Sequence, residues 1–98
     1  MIARTWRAHA TPDNAPAYVR HFRDAVRPQL ERLPGFSDAY LLRRQSDDDV
    51  EIVVLTLWES MDAIRAFAGE RPEAAVVEPE ARAVLSGYDH EVAHHEVV

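Results

Sequence analysis

Apolar residues along the chain switch between alternate spacing and spacings of three and four, and each switch marks an element. The densest stretch runs from Val50 to Phe67, VEIVVLTLWESMDAIRAF. As a strand it places Ile52, Val54 and Trp58 on one face and Val53, Leu55 and Leu57 on the other, so both faces require cover. At Glu59-Ser60 the period changes; Ser60 caps a short helix carrying Met61, Ile64, Phe67 and Ala68, closed by Gly69. Upstream, Ile2 to Ala8 alternates, with Ile2, Arg4, Trp6 and Ala8 on one face and Ala3, Thr5 and Arg7 on the other. Thr11-Pro12-Asp13 forms a turn in which Asp13 or Asn14 caps a helix running to about Leu33. Its inner stripe is Tyr18, Phe22, Ala25, Val26, Gln29, Leu30 and Leu33. Pro28 interrupts that stripe and predicts a kink or a detached last turn.

Pro34-Gly35 ends the helix. Phe36 to Arg44 then reads as a strand, with Phe36, Asp38, Tyr40 and Leu42 on one face and Ala39, Leu41 and Arg43 on the other. Ser46 to Asp49 is the turn back. After the second helix, Arg71 to Leu85 is interrupted by prolines, with a short helix after Pro79. Ser86-Gly87 breaks it, and Tyr88 to Val98 is predicted to be the last strand. The order is strand, helix, strand, strand, helix, strand. This is an α+β, ferredoxin-like arrangement: a four-stranded antiparallel sheet with both helices on one face. Each apolar side chain left on the bare face forfeits about 1.5 to 3 kcal/mol of burial, so the expected cover is a second copy packed sheet to sheet, a homodimer.

Ninety-eight residues bound the chain to a single domain, residues 1–98. A formal net charge of -6 argues against nucleic acid, whose binding depends on cations neutralising phosphates. Without cysteine the chain has no disulfide framework and no thiolate chemistry. MIARTWRAHA has no signal-peptide core and no anchor, which makes the cytoplasm the default and gives no reason to expect a membrane partner.

Trp58, at a strand end beside a helix N-terminus, is the leading site candidate: it walls a cavity and stacks on an aromatic ligand, or it fills the core. Trp6 is a second, similar candidate. His21 borders the buried stripe of the first helix; facing a cavity, it is a general base near neutral pH, and otherwise a half-buried surface residue. Tyr18 and Phe22 share that stripe as pocket wall or core. The tail contains a literal H-E-x-x-H, from His90 to His94. On a strand these histidines stand roughly 13 Å apart, too far to share a metal bound at about 2 Å. No metal is therefore expected, and the run Asp47-Asp48-Asp49 is a solvated turn, since it lacks the glycine and distal glutamate of a calcium loop. His9 and His95 have no partner legible in the sequence. No phosphate-binding glycine loop and no G-x-S-x-G elbow is present.

MIARTWRA, LPGFSDAYLLRR, VLTLWESMDAIRAFAG and HEVAHHEVV together resemble the antibiotic-biosynthesis monooxygenase domain over nearly the whole chain. The resemblance implies a dimeric α+β barrel, a ligand cavity between helices and sheet, and cofactor-independent oxygenation of phenols or quinols, with no cofactor. Combined with the positions read above, this makes Trp58 and His21 the catalytic candidates and Trp6, Tyr18, Phe22 and Phe67 the expected substrate-binding residues. The haem-degrading branch carries an asparagine on the first strand, a tryptophan on the helix after Trp-Glu-Ser and an axial histidine further on. The matching positions here are Trp6 (or Arg7), Phe67 and Val77, which disfavours haem degradation. The polyketide oxygenases place an asparagine where Val54 stands. The alternative implied is a non-catalytic module that binds a hydrophobic molecule or dimerises.

Overall fold

A computed structural model describes residues 1–98. Strand β1 (Ile2–Ala10) is followed by α1 (Ala15–His21), a π-helical turn (Phe22–Val26) and α2 (Arg27–Glu31). Strands β2 (Phe36–Ser46) and β3 (Asp49–Trp58) form a hairpin; then come α3 (Met61–Ala68), α4 (Pro79–Arg82), β4 (Gly87–Tyr88) and β5 (Ala93–Glu96). All pairings are antiparallel, in the order β2-β3-β1, and β4 and β5 share the outer edge of β1. The ferredoxin-like arrangement is therefore present, with its core of Ile52, Trp58, Ile64 and Leu30 between sheet and helices.

The barrel expectation is overturned. β2 bounds one side of the sheet and β4 with β5 the other, with no pairing between them. Four strands at about 4.8 Å spacing make a strip about 15 Å wide, too narrow for its edges to meet. The sheet is open.

Local chemistry explains where the elements depart from simple periodicity. Pro28 lacks the N–H of a regular turn; the helix widens just before it, the Arg27 amide reaching back to Phe22 O, and α2 follows as a separate last segment. The extra residue turns Ala25 outward, so it leaves the predicted stripe. Neither Asp13 nor Asn14 caps α1. The Asn14 side chain makes no cap bond, and Thr11 serves instead, its Oγ1 accepting from the Asn14 amide at 3.2 Å and its carbonyl from Ala15 at 2.9 Å. Ser60 does cap α3, accepting from Ala63 N at 3.2 Å, a bond typically contributing about 1 kcal/mol.

Two register shifts reshape the sheet. A bulge between Phe36 and Asp38 turns Phe36 to the helix side, edge-on to Trp58 at 5.4 Å, while Asp38, Tyr40 and Leu42 stay on the other face. The predicted last strand is split: Trp6 and Arg7 of β1 are opposed by four tail residues, Asp89 to Val92. That excess loops out because its backbone groups pair elsewhere, with Ala75 N–H donating to His90 O at 2.9 Å and Val92 N–H to Glu73 O at 2.8 Å.

The helix-facing side of β3 is buried at Val50, Ile52, Thr56 and Trp58, whereas Val53, Leu55 and Leu57 opposite are only partly covered. No helix is long and apolar enough to cross a membrane.

Candidate functional site

A cavity of about 360 Å³ lies between the sheet's helix-facing side, the α1–α2 run and the segment from α3 to α4. Such a volume suits a small aromatic molecule. Its walls are mainly apolar, and the polar groups that reach it are few: Arg4 and Thr56 from the sheet, Tyr18, His21 and Gln29 from the helices, and Glu78 just before α4.

β1 supplies Trp6, whose tilted ring lies 6.2 Å from Tyr18 and 6.1 Å from Tyr88. Its indole N–H donates to Asp89 O at 2.8 Å, and the residue lines the cavity. α1 supplies Tyr18 and, one turn on, His21. The Tyr18 phenol is almost fully buried; burial, reinforced by the Glu78 carboxylate, pushes it well above the ordinary tyrosine range and holds it protonated. His21 Nε2 is buried and has no hydrogen-bond partner. Glu78 Oε1 stands 3.7 Å from it, beyond bonding distance but close enough to stabilise a positive charge there.

Phe67 of α3 lines the cavity. Behind it, stacked at 5.3 Å, is Trp58, which is fully buried, lies outside the cavity wall and donates its N–H to Thr56 Oγ1 at 2.8 Å. Phe22 is likewise buried in the core behind the wall. The structure thus brings Trp6, Tyr18, His21 and Phe67 to one cavity and sets Trp58 and Phe22 behind it.

Arg4 is the residue that sequence reasoning passed over. Its guanidinium is buried, lies 5.7 Å above the Phe67 ring, and donates to Pro72 O, to Ala74 O at 3.0 Å and to His94 Nε2 at 3.0 Å. Burial lowers its pKa. The same burial, and then the Arg4 charge, lower His94, keeping that ring neutral and its Nε2 an acceptor. An arginine on the face shared by Ile2, Trp6 and Ala8 was the available signal. Glu78 gave none.

The remaining histidines have separate places. His90 stacks edge-on to Tyr88 at 5.2 Å, away from the Arg4 contact of His94, and His9, which had no partner legible in sequence, meets Asp49 at 2.9 Å. No group of three or more His, Asp or Glu side chains is placed to hold a metal ion.

The family model described as antibiotic biosynthesis monooxygenase matches residues 1–79, from the start of the chain to the first residue of α4. The chain belongs to the antibiotic biosynthesis monooxygenase family.

Among solved members of this fold, the antibiotic biosynthesis monooxygenase candidate of Bacillus cereus superposes with a TM-score of 0.69 at 21% identity, covering 100% of this chain and 94% of that one. SnoaB of Streptomyces nogalater, a cofactor-independent oxygenase, gives 0.64 at 20% identity, covering 99% and 93%. MhuD of Mycobacterium tuberculosis, a haem degrader solved with two haems in its active site, gives 0.65 at 25% identity, covering 100% and 96%. No curated protein matches the chain significantly.

Val54 and Val77 both line the cavity with methyl groups, and His21 is the sole imidazole in its wall. Val77 itself offers no ligand to a haem iron.

Proposed function

We propose that the cavity binds a phenolic or quinol-like molecule and that the protein oxygenates it without a cofactor. The observation that carries this reading is the unpartnered, buried Nε2 of His21 in the wall of an aromatic-lined cavity. A ligand hydroxyl there would give its proton to Nε2, and Glu78 would stabilise the imidazolium formed. The resulting phenolate is electron-rich enough to reduce dioxygen. A phenol with a free ring C–H para to its hydroxyl becomes a quinone; one oxygen atom ends on the ring and the other leaves as water. The substrate supplies all the electrons, so no outside reductant is needed. Protonated Tyr18 acts as a hydrogen-bond donor to the reacting oxygen. Phe67 and Trp6 hold the ring, and Trp58 positions Phe67 from behind.

The test is oxygen uptake against a panel of phenols and quinols. Uptake is expected for at least one compound, with His21→Gln lowering kcat by about a hundredfold or more while KM moves little. No uptake above blank for any compound would remove the reading. A Soret band of histidine-ligated haem on titration, lost in His21→Ala, would instead group the chain with the haem degraders.

The apolar Val54 and Val77 in the wall favour a second reading, a non-catalytic module for hydrophobic ligands. Native ligand found by mass spectrometry without turnover would support it. Under either reading the chain acts as a homodimer through the open sheet face, where Tyr40 and Leu42 are half exposed beside Val53, Leu55 and Leu57.

A further inference from the structure

All eleven cationic residues of the chain are arginines. Arg7, Arg23, Arg27, Arg44, Arg65 and Arg71 each have a carboxylate within ion-pair distance, and the rest, apart from Arg4, are exposed to water. Arg4 alone is buried, at 6% exposure, with only neutral partners. A buried charge without a counter-charge is unfavourable unless something else supplies one.

The free donors of Arg4 are arranged for such a group. Pro72 O and His94 Nε2 engage Nη1, and Ala74 O engages one hydrogen of Nη2. What remains is Nε–H and the second hydrogen of Nη2, two donors on one planar cation that the oxygens of a carboxylate can accept from. These donors are not sealed in protein. The only buried side-chain nitrogen or oxygen lacking a partner is His21 Nε2, so Arg4 Nε retains contact with open space, and the space beside Arg4 is the cavity.

We propose that the free Nε–H and Nη2–H donors of Arg4 are an anion-recognition point and that the ligand of the cavity is an aromatic molecule bearing a carboxylate. This rests on the cavity being a ligand site, as in the reading above, and not on the oxygenation reaction. Arg4 belongs to the sheet wall and His21 to the helix wall, so a hydroxyaryl carboxylate would be held by its acid at one wall and activated at the other.

Calorimetric titration with 2-naphthoate and with 2-naphthamide tests the proposal. The wild-type protein is expected to bind the acid at least about tenfold more tightly than the amide. Arg4→Met is expected to weaken the acid by about ten- to a hundredfold and to move the amide by less than about threefold. Equal affinities in the wild type, parallel loss of both compounds in a folded Arg4→Met variant, or no binding of either would overturn it. If Arg4→Met does not fold, the wild-type ratio decides alone. Tight naphthoate binding with no oxygen uptake from any phenol would remove the reaction and leave this recognition point standing.

Discussion

Between β1 and β5, His94 Nε2 accepts a hydrogen bond from the Arg4 guanidinium at 3.0 Å, which fixes the protonation state of the histidine. Its folded pKa lies below the ordinary value of 6.5, first through burial and then through the Arg4 charge. The unfolded chain therefore takes up the proton more readily, so the stability this contact contributes is complete above about pH 6.5 and is lost as pH falls through the depressed folded value. Thermal melts followed by circular dichroism from about pH 8 to about pH 5 should show Tm declining below about pH 6.5. His94→Gln, which keeps an acceptor but no titrating group, should flatten that interval. Asp38 acts lower on the scale: the Ala39 amide and Arg27 hold its carboxyl below 3.8, so its contribution fades only in stronger acid. A matching slope in wild type and His94→Gln would mean that another group governs the decline.

Gly35, in the turn between α2 and β2, and Gly69, which ends α3, have positive φ, 80° and 87°, but only one is crowded. A Cβ on Gly35 would sit 2.5 Å from Ala63 Cβ, while one on Gly69 would meet nothing within 4 Å. Gly69→Ala should thus lose about 1 kcal/mol, the backbone contribution alone, and Gly35→Ala about 2 to 4 kcal/mol, because α3 must also yield. Urea denaturation of the two variants checks this, and equal losses would mean that α3 gives way freely. The same turn marks the limit of sequence reading. β1, β3 and the Ser60-capped α3 were legible because their apolar spacing agrees with their caps and turns. The bulge at Ser37, the π-helical turn before Pro28 and the looped residues Asp89 to Val92 were not, since each inserts residues that a periodic pattern counts as regular. For the site, Trp6, Tyr18, His21 and Phe67 could be picked out as aromatics or histidine on inward faces. Arg4 was seen on the right face without its meaning, because the carbonyls and ring that hold it come from residues 72, 74 and 94, far along the chain.

The open side of the sheet divides into two regions. Toward one end Val53, Leu55, Leu57, Tyr40 and Leu42 form an apolar field; toward the other, Arg7, Arg44 and Glu51 form an ion-pair cluster, with Asp49 meeting His9 close by. Burial of the apolar field would drive the dimer proposed above, and the charged end would set its register. Sedimentation velocity at micromolar concentration should give a dimer for the wild type and a monomer for Leu42→Glu, which places a carboxylate in the field without touching the core. A stable wild-type monomer would contradict the assembly.

If the cavity takes a guest as proposed, the looped interruption of the sheet edge bears on time as well. Val92 on the tail and Val76 and Val77 on the facing segment all border the cavity, and the tail is tied to that segment by the Ala75 and Val92 amides. A guest leaving on that side would have to part them. Its affinity would then be set by the walls and its dwell time by the seam, and stiffening the seam would slow escape with no change in what is bound.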